Sequence, residues 1–222
     1  MKLYIGVDLG TSAVKLLLMD ELGEIKNVVS KEYPLEFPQP GWSQQNPEDW
    51  RSAIMEGIPE LLTGFNGADV AGIGCGGQMH GLVVLDKDDN VIRPAILWND
   101  GRTAKQVDYL NNEIGREKLS ALTANIAFAG FTAPKLLWMK ENEPENFSKI
   151  RKIMLPKDYI NYLLCGVKKV NETQVSMGGM LDTLHSSAQV KNVDYTAEGI
   201  VVETIVDPIL YGRLKDYITK EC

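Results

Sequence analysis

Near the N-terminus, apolar residues alternate with polar ones or run in short blocks bounded by turn residues. Leu3–Asp8 reads as a buried strand that ends in the turn Leu9-Gly10-Thr11-Ser12. Val14–Met19 and Ile25–Tyr33 read as the next two strands, separated by the turn Glu21-Leu22-Gly23-Glu24. Connections this short predict an antiparallel meander. Pro34, Pro38, Pro40 and Gly41 mark the following stretch, 34–45, as loop. Asn46-Pro47-Glu48-Asp49 then opens a helix, with an N-cap Asn, proline at the first helical position and acids in the first turn. Trp50, Ala53, Ile54, Gly57, Ile58 and Leu61 recur at helical spacing as its apolar face, and Pro59 predicts a kink or a split there.

Val70–Gly74 reads as a buried strand and Leu82–Leu85 as another. Lys87-Asp88-Asp89-Asn90 is a turn, and Ile92–Trp98 is again apolar and extended. Past Asp100 the spacing of Ala104, Val107, Leu110 and Ile114 is helical. A second helix starts at Thr132-Ala133-Pro134, a short strand spans Ile150–Leu155, and a helix spans Lys157–Leu164 with Gly166 at its C-cap. A meander followed by alternating strands and helices predicts an α/β fold: a mixed sheet with helices on both faces.

Composition narrows the function. The chain has 222 residues, of which 44% are hydrophobic, enough for one good core or one domain with a small appendage. A net charge of −7 argues against a nucleic-acid partner, which needs a basic stripe. The apolar runs are too short and too charged to span a membrane, and no basic tract would dock on one. Cys75, Cys165 and Cys222 are few and widely spaced, which fits reduced thiols in a cytoplasmic protein rather than a disulfide framework or a zinc site.

The first chemical signal is Ile5-Gly6-Val7-Asp8-Leu9-Gly10-Thr11-Ser12. The strand delivers Asp8 to its end, and Gly10 allows a tight turn. The amides and hydroxyls of Thr11 and Ser12 can then form an anion-binding nest, with Asp8 holding Mg²⁺ through water and Lys15 adding positive charge. A plain hairpin is the competing reading. The pattern resembles the first phosphate motif of the sugar kinase, actin and Hsp70 superfamily, built on a ribonuclease H-like sheet.

Later segments choose within that superfamily. Gly76-Gly77-Gln78-Met79-His80-Gly81, Ala95-Ile96-Leu97-Trp98-Asn99-Asp100-Gly101-Arg102, Gly130-Phe131-Thr132-Ala133-Pro134-Lys135-Leu136-Leu137-Trp138 and Leu155-Pro156-Lys157-Asp158-Tyr159 occur in that order. They resemble segments of xylulokinase-type carbohydrate kinases of the FGGY family over 1–184. The resemblance implies an N-terminal sugar-binding domain with the actin-like ATPase fold, ATP and Mg²⁺ as cofactors, and D-xylulose or a related pentulose as substrate. It implies that Met79 and His80 contact the sugar with Asp100 nearby. Gln78, Trp98, Asn99 and Arg102 join them as candidates, because a polyol needs directed hydrogen bonds and an apolar wall. Plainer readings stand beside these: a core histidine at 80, core aromatics at Trp98 and Trp138, a loop cap at Gln78, a helix-start surface residue at Arg102, and a surface pair at Lys157-Asp158.

Kinases of this family use a catalytic Asp at the start of a second domain, followed by an adenine site, and neither pattern occurs in this sequence. Gly178-Gly179-Met180-Leu181-Asp182 imitates the first, but its context places Asp182 at a structural strand end. The stretch 185–222 matches no family segment and reads as a divergent tail: a linker at His185–Ala188, a strand at Glu198–Val206, and a helix from Asp207. The expectation is a truncated xylulokinase-like enzyme, weakly active or inactive alone, that forms a homodimer or pairs with a C-terminal kinase domain. The competing function is a non-catalytic pentulose-binding or interaction module.

Overall fold

In the computed structural model, residues 1–165 are described in full and residues 189–196 and 199–205 as backbone strands. The meander forms as expected: β1 (Leu3–Leu9), β2 (Ala13–Asp20) and β3 (Ile25–Glu32) are antiparallel neighbours. After the short strand β4 (Gln44–Gln45), helix α1 runs from Pro47 to Leu61, and the Asn46 side chain accepts from Glu48 N as its N-cap. Pro59 does not split α1. It lies in the last turn, and the N–H it lacks is the one that would serve the carbonyl of Met55, an exposed residue of α1.

β5 (Val70–Gly77) adds parallel to β1, giving the mixed order β3-β2-β1-β5. The sequence predicts a buried strand here, but β5 is largely exposed. It lies at the sheet edge, and Gly72, Gly74, Gly76 and Gly77 carry no side chain to bury.

β6 (Val83–Leu85) and β7 (Ala95–Ile96) are short. The stretch after Asp100 is helical but changes type and breaks at Gly115, whose φ is 94°: α2 (Ala104–Asp108), a π-helical segment (Tyr109–Gly115) and α3 (Arg116–Thr123). Then come α4 (Thr132–Asn142), α5 (Pro144–Lys149), β8 (Lys152–Met154) and α6 (Pro156–Cys165). β4 pairs with β7 and β6 with β8, both antiparallel.

The alternation in β1 and β2 decides what is buried. Leu3, Ile5, Val7 and Leu9 point to one face together with Val14, Leu16 and Leu18, and all are nearly inaccessible. α1 packs on β2 and β3 through Trp50 and Ile54, and α6 packs on β5. Each large side chain buried there contributes about 1.5–3 kcal/mol. The opposite face carries Tyr4, Asp8 and Lys15 beside the open glycines of β5. A second core gathers Leu82, Val84, Ile96, Trp138 and Met139, with Trp42 and Phe147 packed against it.

The chain divides into two compact units, Met1–Lys169 and Val170–Cys222. Within the second, β9 (Gln189–Thr196) and β10 (Gly199–Ile205) form an antiparallel ladder. β10 coincides with the strand read from the sequence, whereas β9, rich in polar residues, is not among the sequence expectations. The Gly166 cap, Asp182, the linker at 185–188 and the helix from Asp207 lie outside the described residues.

Candidate functional site

β1 and β5 run parallel, so their C-terminal ends reach the same end of the sheet, with Leu9 opposite Gly77. That end is where α/β sheets place their ligands. β1 delivers Asp8 and the turn 10–12, and β5 delivers the turn 77–81. Gly77 has a φ of 132°, and a Cβ there would lie 2.4 Å from Leu9 O, so only glycine fits. Gln78 N then donates to Leu9 O at 2.8 Å, which ties the two turns together.

A buried polar network lies beneath the first turn. Gln78 Nε2 donates to Gly10 O at 2.9 Å and to Gln45 Oε1 at 3.2 Å. Tyr33 OH also donates to Gly10 O, and burial holds that phenol above its ordinary pKa, so it stays a donor. Gln45 Nε2 donates to Thr11 O at 2.7 Å, and Gln45 Oε1 accepts from Trp50 Nε1 at 3.0 Å. Gln78, a sugar donor in the sequence reading, therefore spends its amide nitrogen holding the turn. It is buried, and its Oε1 has no partner among the described residues. The loop-cap reading describes it better.

Above the network, Asp8, Ser12 and Lys15 are exposed, and Asp8 stands directly across the ladder from Lys15. A Cβ on Gly74 or Gly76 would meet nothing within 4 Å, so the surface beside Asp8 is open. Among the described residues no group of three or more His, Cys, Asp or Glu could hold a metal. One exposed carboxylate still fits Mg²⁺, which keeps several waters and takes one or two carboxylates together with substrate phosphates.

The second turn carries Met79, half exposed, and His80 in the left-handed region at φ 63°. Gly81 N closes it on Met79 O at 2.7 Å. The first turn of α4 clamps it: Thr132 Oγ1 donates to His80 O at 3.1 Å and Lys135 Nζ donates to the same oxygen at 2.9 Å and to Gly130 O. The His80 ring stacks on Phe131, with centroids 4.7 Å apart at 18°. Burial, with the Lys135 charge adding, pulls the His80 pKa below its ordinary value, which favours neutral imidazole. His80 is thus a half-buried, stacked residue rather than a core histidine. Trp98 is 49% exposed, so it is not a core aromatic either, and its Nε1 donates to Thr11 Oγ1 at 3.1 Å across the two motifs. Asn99 is exposed beside it.

Asp100 and Arg102 sit elsewhere. Asp100 Oδ1 accepts from Arg102 N and Nε, both at 2.9 Å, while Oδ2 accepts from Arg102 Nη2 at 2.8 Å and Ser43 N at 2.6 Å. Both side chains have no exposed surface, and the guanidinium lies over Trp42 at 4.0 Å and Trp138 at 5.0 Å. With every carboxylate lone pair directed at protein donors, neither side chain is presented to a sugar; the pair holds the 97–102 loop under the site. Lys157 and Asp158, read as a surface pair, are also a buried ion pair, at 2.7 Å.

Tyr33, Gln45, Phe131 and Lys135 are absent from the sequence-derived candidates. Burial pushes the Lys135 ammonium down to about 7. Its signal was a charge on the apolar stripe that α4 presents through Trp138 and Met139. Tyr33 and Gln45 carry no such signal, because their partners lie far away in the chain. A separate surface concavity lined by Glu36, Asn46, Glu48, Asn90 and Arg93 shares no residue with this site.

A model of the FGGY family of carbohydrate kinases, N-terminal domain, matches residues 3–192. The chain belongs to this family. A xylulose kinase of Lactococcus lactis is 47% identical over 169 residues, covering 75% of this chain and 33% of the relative. The xylulose kinase of Haemophilus influenzae is 32% identical over 230 aligned residues, covering 98% of this chain and 46% of the relative. The family model and the Haemophilus influenzae match both run past Leu184, so the similarity extends further than the motifs alone indicated. The solved xylulose kinase of Rhodospirillum rubrum superposes with a TM-score of 0.73 at 30% identity, covering 80% of this chain and 38% of that one. The FGGY domain thus has the ribonuclease H-like fold of actin-like ATPases and sugar kinases. The chain spans about a third of the length of the curated relatives it matches first. Among the described residues no helix is long and apolar enough to cross a membrane.

Proposed function

We propose that this chain is the sugar-binding domain of a cytoplasmic xylulokinase, an enzyme that transfers the γ-phosphoryl group of ATP to D-xylulose and releases D-xylulose 5-phosphate. One observation carries the reading: the Gly10–Ser12 turn and the Met79–His80 turn lie at one end of the sheet, joined by the Gln78–Gly10 and Trp98–Thr11 hydrogen bonds. Met79 and Trp98 form an apolar wall for the C–H face of the ketose, while His80 and Asn99 supply directed hydrogen bonds. Asp8 holds Mg²⁺ through water, and Thr11, Ser12 and Lys15 receive phosphate oxygens. Bound Mg-ATP supplies the transferable group and neutralises charge developing on it.

Positioning and exclusion of water dominate such a reaction, and both require a second domain closing over the sugar. The base that this family carries in its second domain is not among these 222 residues, and acting without such a base typically costs about 10²–10⁴-fold. The 222 residues alone therefore bind sugar and transfer phosphate slowly or not at all. Calorimetric titration with D-xylulose, D-ribulose, L-ribulose and glycerol tests the first part, with saturable, D-xylulose-selective binding expected. Release of ADP, measured with and without an added C-terminal FGGY kinase domain, tests the second. Equal heats for glycerol and D-xylulose would end the pentulose assignment.

A further inference from the structure

We propose that Tyr33, Gln45 and Gln78 are positioning residues that aim the Thr11 and Ser12 amides at phosphate by holding the preceding carbonyls inward. The inference rests on the assignment of the 10–12 turn to phosphate and names the groups that set its geometry.

In a trans peptide the C=O of one residue and the N–H of the next point in opposite directions. Gly10 O receives two inward donors, Tyr33 OH and Gln78 Nε2. That fixes the Gly10–Thr11 peptide plane and turns Thr11 N–H outward. Thr11 O receives Gln45 Nε2 from below at 2.7 Å, which turns Ser12 N–H outward. Neither amide donates to any group among the described residues, so two adjacent donors converge on the side where Asp8 and Lys15 are exposed. Trp98 completes the turn by holding the Thr11 hydroxyl at 3.1 Å.

The donors are held as firmly as the turn. Gln45 has no exposed surface. Its Nε2 also donates to Pro34 O at 3.1 Å, and its Oε1 accepts from Trp50 Nε1 and Gln78 Nε2, so its amide cannot flip without breaking all of these. Gln78 precedes Met79 and His80 directly, so the group that fixes the Thr11 amide belongs to the same loop that carries the sugar contacts.

The test is a titration of the full ¹⁵N-labelled chain with inorganic phosphate in Mg²⁺ buffer, following the Thr11 and Ser12 amides by NMR. In the unmodified chain both resonances shift. Tyr33→Phe combined with Gln78→Met frees Gly10 O; the phosphate affinity that both amides report falls about tenfold, and at saturating phosphate the Thr11 amide loses most of its shift while the Ser12 amide keeps its own. A tenfold loss is the weight of one hydrogen bond to a charged group. Gln45→Met frees Thr11 O, and the Ser12 amide is then the one that loses its saturating shift. A merely structural role would reduce the saturating shifts of both amides together in either variant, and that result overturns the proposal, as does a phosphate titration that moves neither amide in the unmodified chain. If Gln45→Met fails to fold, the Tyr33→Phe/Gln78→Met pair alone still decides. No sugar is present, so a chain that binds phosphate but not D-xylulose would refute the xylulokinase reading and leave this one standing.

Discussion

The replacement Asp100→Asn separates scaffold from sugar contact most cleanly. The sequence placed Asp100 beside the sugar, whereas the structure directs both of its oxygens at Arg102 and Ser43 N with no exposed surface on either charged side chain. An amide at this position keeps the shape but removes the charge and one acceptor. The Arg102 guanidinium, already carrying a buried Nη1 without a partner, is then left as an uncompensated buried cation. Removing one member of a buried pair costs about 3–5 kcal/mol. Stacking of Arg102 on Trp42 at 4.0 Å recovers part of this, so a loss near the lower figure, about 3 kcal/mol, is expected. With a urea m-value of about 2 kcal/mol/M, the unfolding midpoint falls by about 1.5 M. Urea titration followed by tryptophan fluorescence measures it, since Trp42 and Trp138 flank the pair. Sugar affinity per folded molecule should stay within a few-fold of the unmodified chain. A variant with an unchanged midpoint and abolished D-xylulose binding would refute the scaffold argument and return Asp100 to the sugar.

Other perturbations read other parts of the site. Gly81→Ala puts a Cβ 2.6 Å from Pro156 Cγ, so α6 and the Met79–His80 turn must part; a loss of about 1–3 kcal/mol by thermal unfolding is expected, with weakened sugar binding. Lys135 has its pKa lowered by burial from 10.5 to about 7, so above neutrality the unfolded chain binds the proton that the folded chain does not. Stability should therefore rise with pH between about 7 and 8.5, by up to about 1.4 kcal/mol per unit, and urea unfolding of Lys135→Met should lack that rise. Restricting the window keeps out Cys75, whose thiol burial pushes up to about 11 and whose linkage has the opposite sign above pH 9. Trp98→Leu removes the bond to Thr11 Oγ1 and the aromatic wall, and calorimetry should show D-xylulose affinity falling about tenfold or more while the unfolding midpoint barely moves, because Trp98 is half exposed.

Local chemistry was legible in the sequence wherever neighbours in the chain supply the physics. Period-two alternation placed β1, β2 and β3, and Asn46-Pro47 announced the start of α1, because strand facing and helix capping are decided within a few residues. The short segments around Asp8, Met79-His80 and Trp98 were enough to recognise an FGGY kinase domain. What they could not reveal was which polar side chains face a ligand and which face the protein. Gln78 and Asp100 look like sugar-binding residues on paper. Folding brings Gly10 O to the first, and Arg102 with Ser43 N to the second, and a hydrogen bond to a buried partner takes away the capacity a ligand would use. Tyr33, Gln45 and Lys135 drew no notice for the converse reason. Their work is done on carbonyls between 5 and 55 residues away, and only the β1–β2–β3 meander, the placement of β4 and the packing of α4 bring the distant ones within reach.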